Sequence, residues 1–541
     1  MKYIFPNRIV ASRNVENTGA LLNKKTLQIG LSETDCAVFK DGAFVILDYG
    51  EELSGGARIL TFRANEKHTV RLRFGESVSE TCAELGKGHG FATNDHSVRD
   101  FKMDLQNYSD MTFGQTGFRF LRIDAEAGAE LSIKCVAAAV DTDTREELGS
   151  FECDDPLVNE IWTTAARTIR LCLQNGYFWD GIKRDRLVWI GDLYPEMRAA
   201  QCLFGDLPET ENSLAFVHSQ TPLPNWMNNI PAYSLWWLII LADEYVVKGD
   251  KTPFIAYLPY INGLVKQISD HVKEDGDTTY SWDFIDWPSC YTAEVPKEFE
   301  HVKKTDSHAG VAYLTKVAMQ KTADFLAACG EDNSLCYDVI RRLDKKQHNV
   351  LQYKQIAGLG VWAGDLSDNN KEVLLRAGAK GLSTFMSYPI LTAVAAYGCC
   401  DEALAMMKEY YGGMLSVGAT SFWEDFDLDW LENCGRIDEM PQEGKVDIHG
   451  DKGAFCYVGF RHSFCHGWSA GVIPYLAETV AGIHPVGVGM QKFRIEPKMS
   501  GLKHLKIKYP VASGILTVEH TLQADGSVKT EIDAPDGVEI L

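Results

Sequence analysis

Four clusters of carboxylates, aromatics and histidines hold the chemistry open to this chain. The densest runs from Asp180 to Asp192, with Glu196 one turn further on. It sets Asp180, Asp185, Asp192 and Glu196 beside Lys183, Arg184, Arg186 and Trp189, directly after Tyr177-Phe178-Trp179. Carboxyls in unequal environments can divide into proton donor and base. A salt-bridged surface turn has the same composition. Gly181 and Gly191 break the helical pattern, so part of this stretch reads as loop.

The second cluster is Gly418 to Trp430, where Trp423-Glu424-Asp425 puts acids against an indole that can desolvate them. An acidic amphipathic loop reads the same way. Third is Trp282-Asp283-Phe284-Ile285-Asp286-Trp287-Pro288, which could stack a sugar ring and bond its hydroxyls, or form a helix start with Asp286 as cap. Fourth is Arg461-His462-Ser463-Phe464-Cys465-His466-Gly467-Trp468, ahead of an apolar run, where a histidine is either structural or a ligand contact.

Three kinds of element must position these clusters. Residues 1 to about 148 alternate with period two, as in Ala43–Tyr49, Thr69–Phe74 and Phe118–Ile123, the pattern of a β-sandwich or jelly roll. From about Ser150 to residue 481 the pattern is helical and apolar on several faces, as in Tyr233–Tyr245, Gly310–Met319, Ile390–Tyr411 and Gly467–Thr479. Paired helices over such a length suit a toroid. Short strands return beyond Gly487, at Lys492–Ile495, Leu505–Tyr509 and Gly514–Val518. The expected division is a jelly-roll-like domain at 1–148, a helical catalytic domain at 149–482 and a small β domain at 483–541.

Length and charge narrow the partners. The chain has 541 residues, with 53 Lys+Arg against 75 Asp+Glu for a formal charge of -22. That field repels phosphate backbones and anionic bilayers, so neither nucleic acid nor membrane is an expected partner. The 14 cysteines are scattered without a C-x-x-C, which reads as buried free thiols and not as disulfides or a zinc site. No cofactor or metal is expected. With no signal-peptide pattern at Met1–Arg8 and no apolar run of membrane length, the expected compartment is the cytoplasm.

The clusters together resemble the family 78 glycoside hydrolases, the bacterial α-L-rhamnosidases. The family's D-C-P-x-R-E/D-x-x-x-W-x-G-D pattern is matched by Asp180, Arg184, Asp185, Trp189, Gly191 and Asp192. Its A-T-x-x-W-E pattern is matched by Ala419, Thr420, Trp423 and Glu424. Its G-D-W element resembles Ile285-Asp286-Trp287, and its S-F-x-H element Ser463, Phe464 and His466. Leu47–Gly55, Arg73–Glu76 and Gly117–Phe120 resemble its N-terminal jelly roll, so the likeness spans nearly the whole chain in the family's order.

The resemblance implies an (α/α)6 barrel and an inverting hydrolase that releases terminal non-reducing α-L-rhamnose from oligosaccharides or small glycosides. It implies Glu424 as general base and Asp185 as general acid. Asp180, Arg184, Asp192, Asp286 and His466 fall at sugar-contacting positions, with Trp189, Trp287 and Trp423 as pocket walls. A homodimer stays open. Two departures stand out. Gly181-Ile182 replaces Cys-Pro, and Asp185 stands where the family usually has Glu, about 1.5 Å shorter in reach. Lys183, Arg184 and Arg186 would hold Asp185 ionised if they point at it. Either the site adjusts to Asp185, or Glu196 or another acid replaces it, or the acid is missing. The alternatives to a rhamnosidase are therefore a hydrolase of another glycoside and a silent rhamnose-binding relative.

Overall fold

The computed structural model describes residues 2–28, 30–66, 68–84, 99–454, 457 and 459–541. In the N-terminal region, strands β1 (Lys2–Ile4), β2 (Arg8–Glu16), β3 (Ala37–Ala64), β4 (Thr69–Gly75), β5 (Asp100–Asp104), β6 (Asp110–Ala125) and β7 (Leu131–Val140) form one sheet. Its order is β1-β7-β3-β6-β4-β5, with β2 on β3. The alternating runs of the sequence are all strands. Their separate appearance conceals that β3 is one strand of 28 residues, paired to β6 and β7 along its length with register shifts. Its inward residues, among them Phe39, Val45, Leu47, Tyr49 and Ile59, share a core with Phe74, Phe118 and Ile133.

β8 (Ser150–Cys153) opens the helical region but pairs antiparallel with β11 (His504–Val511), beside β12 (Gly514–Leu522) and β13 (Val528–Asp533). β9 (Ile483–Pro485), β10 (Lys492–Ile495) and β14 (Glu539–Ile540) form a second small sheet. The strand at the start of the helical region is thus the edge of the C-terminal sheet. Four residues with no turn signal of their own gave the sequence no way to show that pairing.

Among the described residues, eleven helices of at least eight residues lie between. They are α1 (Pro156–Cys172), α2 (Leu193–Phe204), α3 (Pro208–Gln220), α4 (Pro231–Lys248), α5 (Leu258–Asp270), α6 (Lys297–Cys329), α7 (Ser334–Leu343), α8 (Lys354–Trp362), α9 (Asp368–Leu375), α10 (Ser387–Ala396) and α11 (Cys400–Ser416). Their ends follow the usual chemistry. α1 starts on Asp155, whose carboxylate accepts the Leu157 N–H, with Pro156 in its first turn; α4 starts on Pro231 and stops at Gly249 with φ 73°. α4 is buried on every face, from Tyr233 through Trp236, Trp237 and Ile240 to Glu244, so other helices surround it. The run 390–411 is two helices, broken after Tyr397 at Gly398. Residues 467–480 wind irregularly, ending in a π-helical turn at Tyr475–Val480. Among the described residues no cysteine is in a disulfide and no helix is long and apolar enough to cross a membrane.

Candidate active site

The first cluster is a closed loop that leads into a helix. Asp180 accepts the Leu187 N–H on its carboxylate (2.9 Å) and donates its own N–H to the Leu187 carbonyl (3.0 Å), so residues 180–187 fold back on themselves. Arg186 takes a left-handed conformation, φ 59°, to make the return. Gly181 pairs with His466, and a Cβ there would lie 2.7 Å from the Cys465 carbonyl oxygen, so this approach needs glycine. Asp192 stands at the start of α2 without capping it. Its carboxyl instead meets the Tyr233 hydroxyl at 3.3 Å and His466 Nε2 at 3.0 Å.

Glu424 reaches the same place from the far end of the helical region. It donates its N–H to the Ser463 carbonyl (2.9 Å), and its Oε2 accepts the Ser463 N–H (3.1 Å). Trp468 Nε1 and the Thr384 hydroxyl both donate to the Glu424 carbonyl, at 2.8 and 2.6 Å. Arg184 then joins two loops: its Nη2 is 3.3 Å from Glu424 Oε1 and its Nε 3.5 Å from Asp185 Oδ1. Because one planar guanidinium spans both contacts, those two oxygens lie within roughly 9 Å of each other.

Burial sets the electrostatics. Desolvation, reinforced by neighbouring acids, lifts Asp180 and Glu196 well above the carboxylate range. It lifts Asp192 to about 8, Asp286 to about 6 and Asp425 to about 8. Desolvation and Arg184 lower His466 to about 4, so its imidazole is neutral against Asp192. Asp286 is held by the Ser383 hydroxyl (2.5 Å) and the Trp287 N–H (2.8 Å). Protonated carboxyls both donate and accept hydrogen bonds, which suits the hydroxyls of an uncharged sugar.

Residues 146–337 match the family described as the bacterial alpha-L-rhamnosidase 6 hairpin glycosidase domain. Over these residues the chain is similar to that family's domain. Among solved structures it is similar to the GH78 family rhamnosidase of Bacillus sp. GL1, with TM-score 0.74, 20% identity, and 96% of this chain against 55% of that one. The rhamnosidase from Klebsiella oxytoca with rhamnose bound gives 0.67 and 18%, covering 88% of this chain and 95% of that one. The Streptomyces avermitilis α-L-rhamnosidase complexed with L-rhamnose gives 0.66 and 16%, covering 93% and 50%. At these identities the likeness is one of fold. The chain spans about half the length of the Bacillus and Streptomyces proteins and nearly all of the Klebsiella one. No curated protein sequence matches.

Within this site the structure gathers Asp180, Arg184, Asp185, Asp192, Glu424 and His466. Asp286 is brought close enough to raise Asp425, and Asp192 to raise Asp286. Trp189 is half-buried, edge-on to Tyr233 at 6.1 Å, and Trp287 is half-buried against Phe284 at 5.2 Å.

Two expectations change. Trp423 is wholly buried and stacks on Phe464 at 4.0 Å, so it props the Glu424 loop from behind and does not wall the pocket. Glu196 is buried against Gly467, where a Cβ would fall 1.9 Å from its Oε1, and feels the charges of Asp192 and Asp180. Of the three cations flanking Asp185, two turn away. Arg186 donates to the Gln115 carbonyl (3.1 Å) and covers the Trp179 ring. Lys183 enters a buried cluster with Glu76 (2.9 Å), Glu80 (3.3 Å), His449 Nε2 (3.2 Å) and the Phe460 carbonyl (2.9 Å). Among the described residues Glu76, Glu80 and His449 have metal-binding spacing, and the Lys183 ammonium lies between them. Arg461 approaches Asp185 from elsewhere, at 3.9 Å.

Sequence reasoning left Asp425, Ser383, Tyr233 and Arg461 without a role. Asp425 adjoins Glu424 in an acidic run, and Arg461 opens the fourth cluster, so both were visible. Ser383 and Tyr233 carry no local signal, because each enters from a different element.

Proposed function

We propose that the protein is an inverting α-L-rhamnosidase releasing terminal non-reducing α-L-rhamnose from oligosaccharides or small glycosides. The observation that carries this is the Arg184 guanidinium with Glu424 and Asp185 on two of its nitrogens, inside a group of largely neutral acids. The ceiling of roughly 9 Å between the two carboxyls accommodates the ~6.5–9.5 Å of an inverting pair. In this reading Glu424 takes a proton from water as the water attacks the anomeric carbon, and Asp185 delivers a proton to the departing glycosidic oxygen. Asp180, Asp192, Asp286 and His466 hold the sugar hydroxyls, and Trp189 and Trp287 offer apolar faces to the C6 methyl.

The scaffold belongs to the same reading. We read the eleven helices and the irregular helical segment at 467–480 as the twelve of an (α/α)6 barrel, with a jelly-roll-like domain at 1–148 and a β domain at 483–541 beside it. Unpaired cysteines suit a reducing compartment, and we place the protein in the cytoplasm.

Hydrolysis of an aryl α-L-rhamnoside, with the first-formed anomer read by proton NMR, tests the reaction. The β-anomer of free L-rhamnose is expected first, and Glu424→Gln should lower kcat by about 10²–10⁴. L-rhamnose binding without turnover of any glycoside would assign the silent relative instead.

A further inference from the structure

The helices that pass the active site line a second cavity further along. α2 carries Arg198 about one and a half turns beyond Leu193; α4 passes from Tyr233 to Asp243, about 15 Å along its axis. The last segment passes from His466 to Glu478. Where these segments converge lies a cavity of about 660 Å³. An aromatic column separates it from the active site. Trp468, bonded to the Glu424 carbonyl, stacks on Phe385 at 4.8 Å; Phe385 meets Trp236 at 6.2 Å, and Trp236 stacks on Tyr194 at 4.9 Å. The cavity is therefore a separate compartment with its own lining.

That lining has two parts. Trp362 meets Tyr194 and Tyr388 edge to face, at 5.7 and 5.6 Å, and Trp362 is the one left partly open. Around these rings stand two ion pairs: Arg198 with Glu478, which also accepts the Tyr388 hydroxyl, and Lys321 with Asp243 at 2.5 Å. Glu478 sits on the π-helical turn, a wide turn common at functional sites. The Arg198 Nε–H has no acceptor among the described residues.

The chemistry selects the ligand class. Lys498 and His484 also line the cavity, so a small anion entering here meets Asp243 and Glu478 beside these basic groups, and a small cation meets Arg198, Lys321 and Lys498. An apolar molecule would strip water from five charged groups and return no hydrogen bonds. A ring with C–H faces and hydroxyl edges matches both halves of the lining, since each ion pair supplies donors and acceptors together. We infer that this cavity is a second, non-catalytic carbohydrate site that takes one neutral monosaccharide ring.

The test uses the full chain labelled with 5-fluorotryptophan, with the Trp362 and Trp189 fluorine signals assigned by Trp362→Phe and Trp189→Phe. L-rhamnose, D-mannose and D-galactose are titrated separately. At least one is expected to move the Trp362 signal saturably. In Asp192→Asn the Trp189 response should be lost while the Trp362 response stays. Lys321→Met should weaken the Trp362 response about tenfold and leave hydrolysis unchanged. The inference is overturned if none of the sugars moves Trp362 up to about 100 mM. It is equally overturned if the Trp362 response disappears with that of Trp189 in Asp192→Asn, or if only sulfate or tetramethylammonium shifts the signal. The Trp362 readout needs no turnover, so failure of the rhamnosidase reading and failure of this site are separate results.

Discussion

A carboxyl one methylene shorter than glutamate reaches a scissile oxygen only if its backbone is carried inward. The 180–187 loop can do this, because the two Asp180–Leu187 hydrogen bonds and the left-handed Arg186 fold Asp185 towards Arg184. If Asp185 is the acid, the loss on Asp185→Asn depends on the leaving group. With a sugar aglycone kcat should fall about 10²–10⁴, and with a nitrophenol, which departs without a proton, less than tenfold. Equal losses on both substrates would remove Asp185 from that role. Asp192 offers a second test. Its carboxyl is raised from 3.8 to about 8, so between those values the folded protein keeps a proton that the unfolded chain releases. Stability is therefore lost as pH rises through that window. Urea unfolding from pH 5 to 8 should show a shallower decline in Asp192→Asn than in the parent, whose slope also contains Asp286 and Asp425.

At the scale of elements, the site is three loops held from one side. The Glu76 carboxylate accepts the Phe464 N–H at 2.7 Å and pairs with Lys183, while the next amide, Ser463 N–H, bonds Glu424. Lys183 thereby ties the 180–187 loop and the 462–466 segment to the same buried carboxylates. Burial raises Glu76, whereas Arg99 and Lys183 hold Glu80 far below the usual range despite its burial. Removing one partner of such a cluster leaves uncompensated charge. Lys183→Met should cost about 3–5 kcal/mol by chemical denaturation, and in the remaining folded protein kcat should fall more than KM rises. The loop was legible in the sequence from its glycines. The direction of Lys183 was not, because adjacent side chains of a loop diverge according to what packs on each side.

For the whole molecule, the β region at 1–148 is part of the active-site support. Its Gly117 N–H bonds the Ile182 carbonyl (2.9 Å), Arg119 donates to the Gly418 carbonyl (2.9 Å), and the Thr420 hydroxyl accepts the Glu52 N–H (2.9 Å). These contacts reach the first two clusters, and Glu76 reaches the fourth. Residues 149–541 expressed alone should lack hydrolytic activity even where they stay soluble and helical by circular dichroism.

By itself the sequence determined the order β, helical, β, the four clusters and their resemblance to one glycosidase family. Periodicity and motif spacing are local and survive in one dimension. It also named Asp180, Asp185, Asp192 and Glu424 as the acids to watch. Tertiary structure alone decided that Glu196 lies beneath Gly467, that Trp423 is a prop, and that two of the three cations beside Asp185 face elsewhere. Burial and ion pairing depend on neighbours hundreds of residues away, such as Glu76 for Lys183 or Ser463 for Glu424. A carboxyl's protonation follows those neighbours and not its place in the chain.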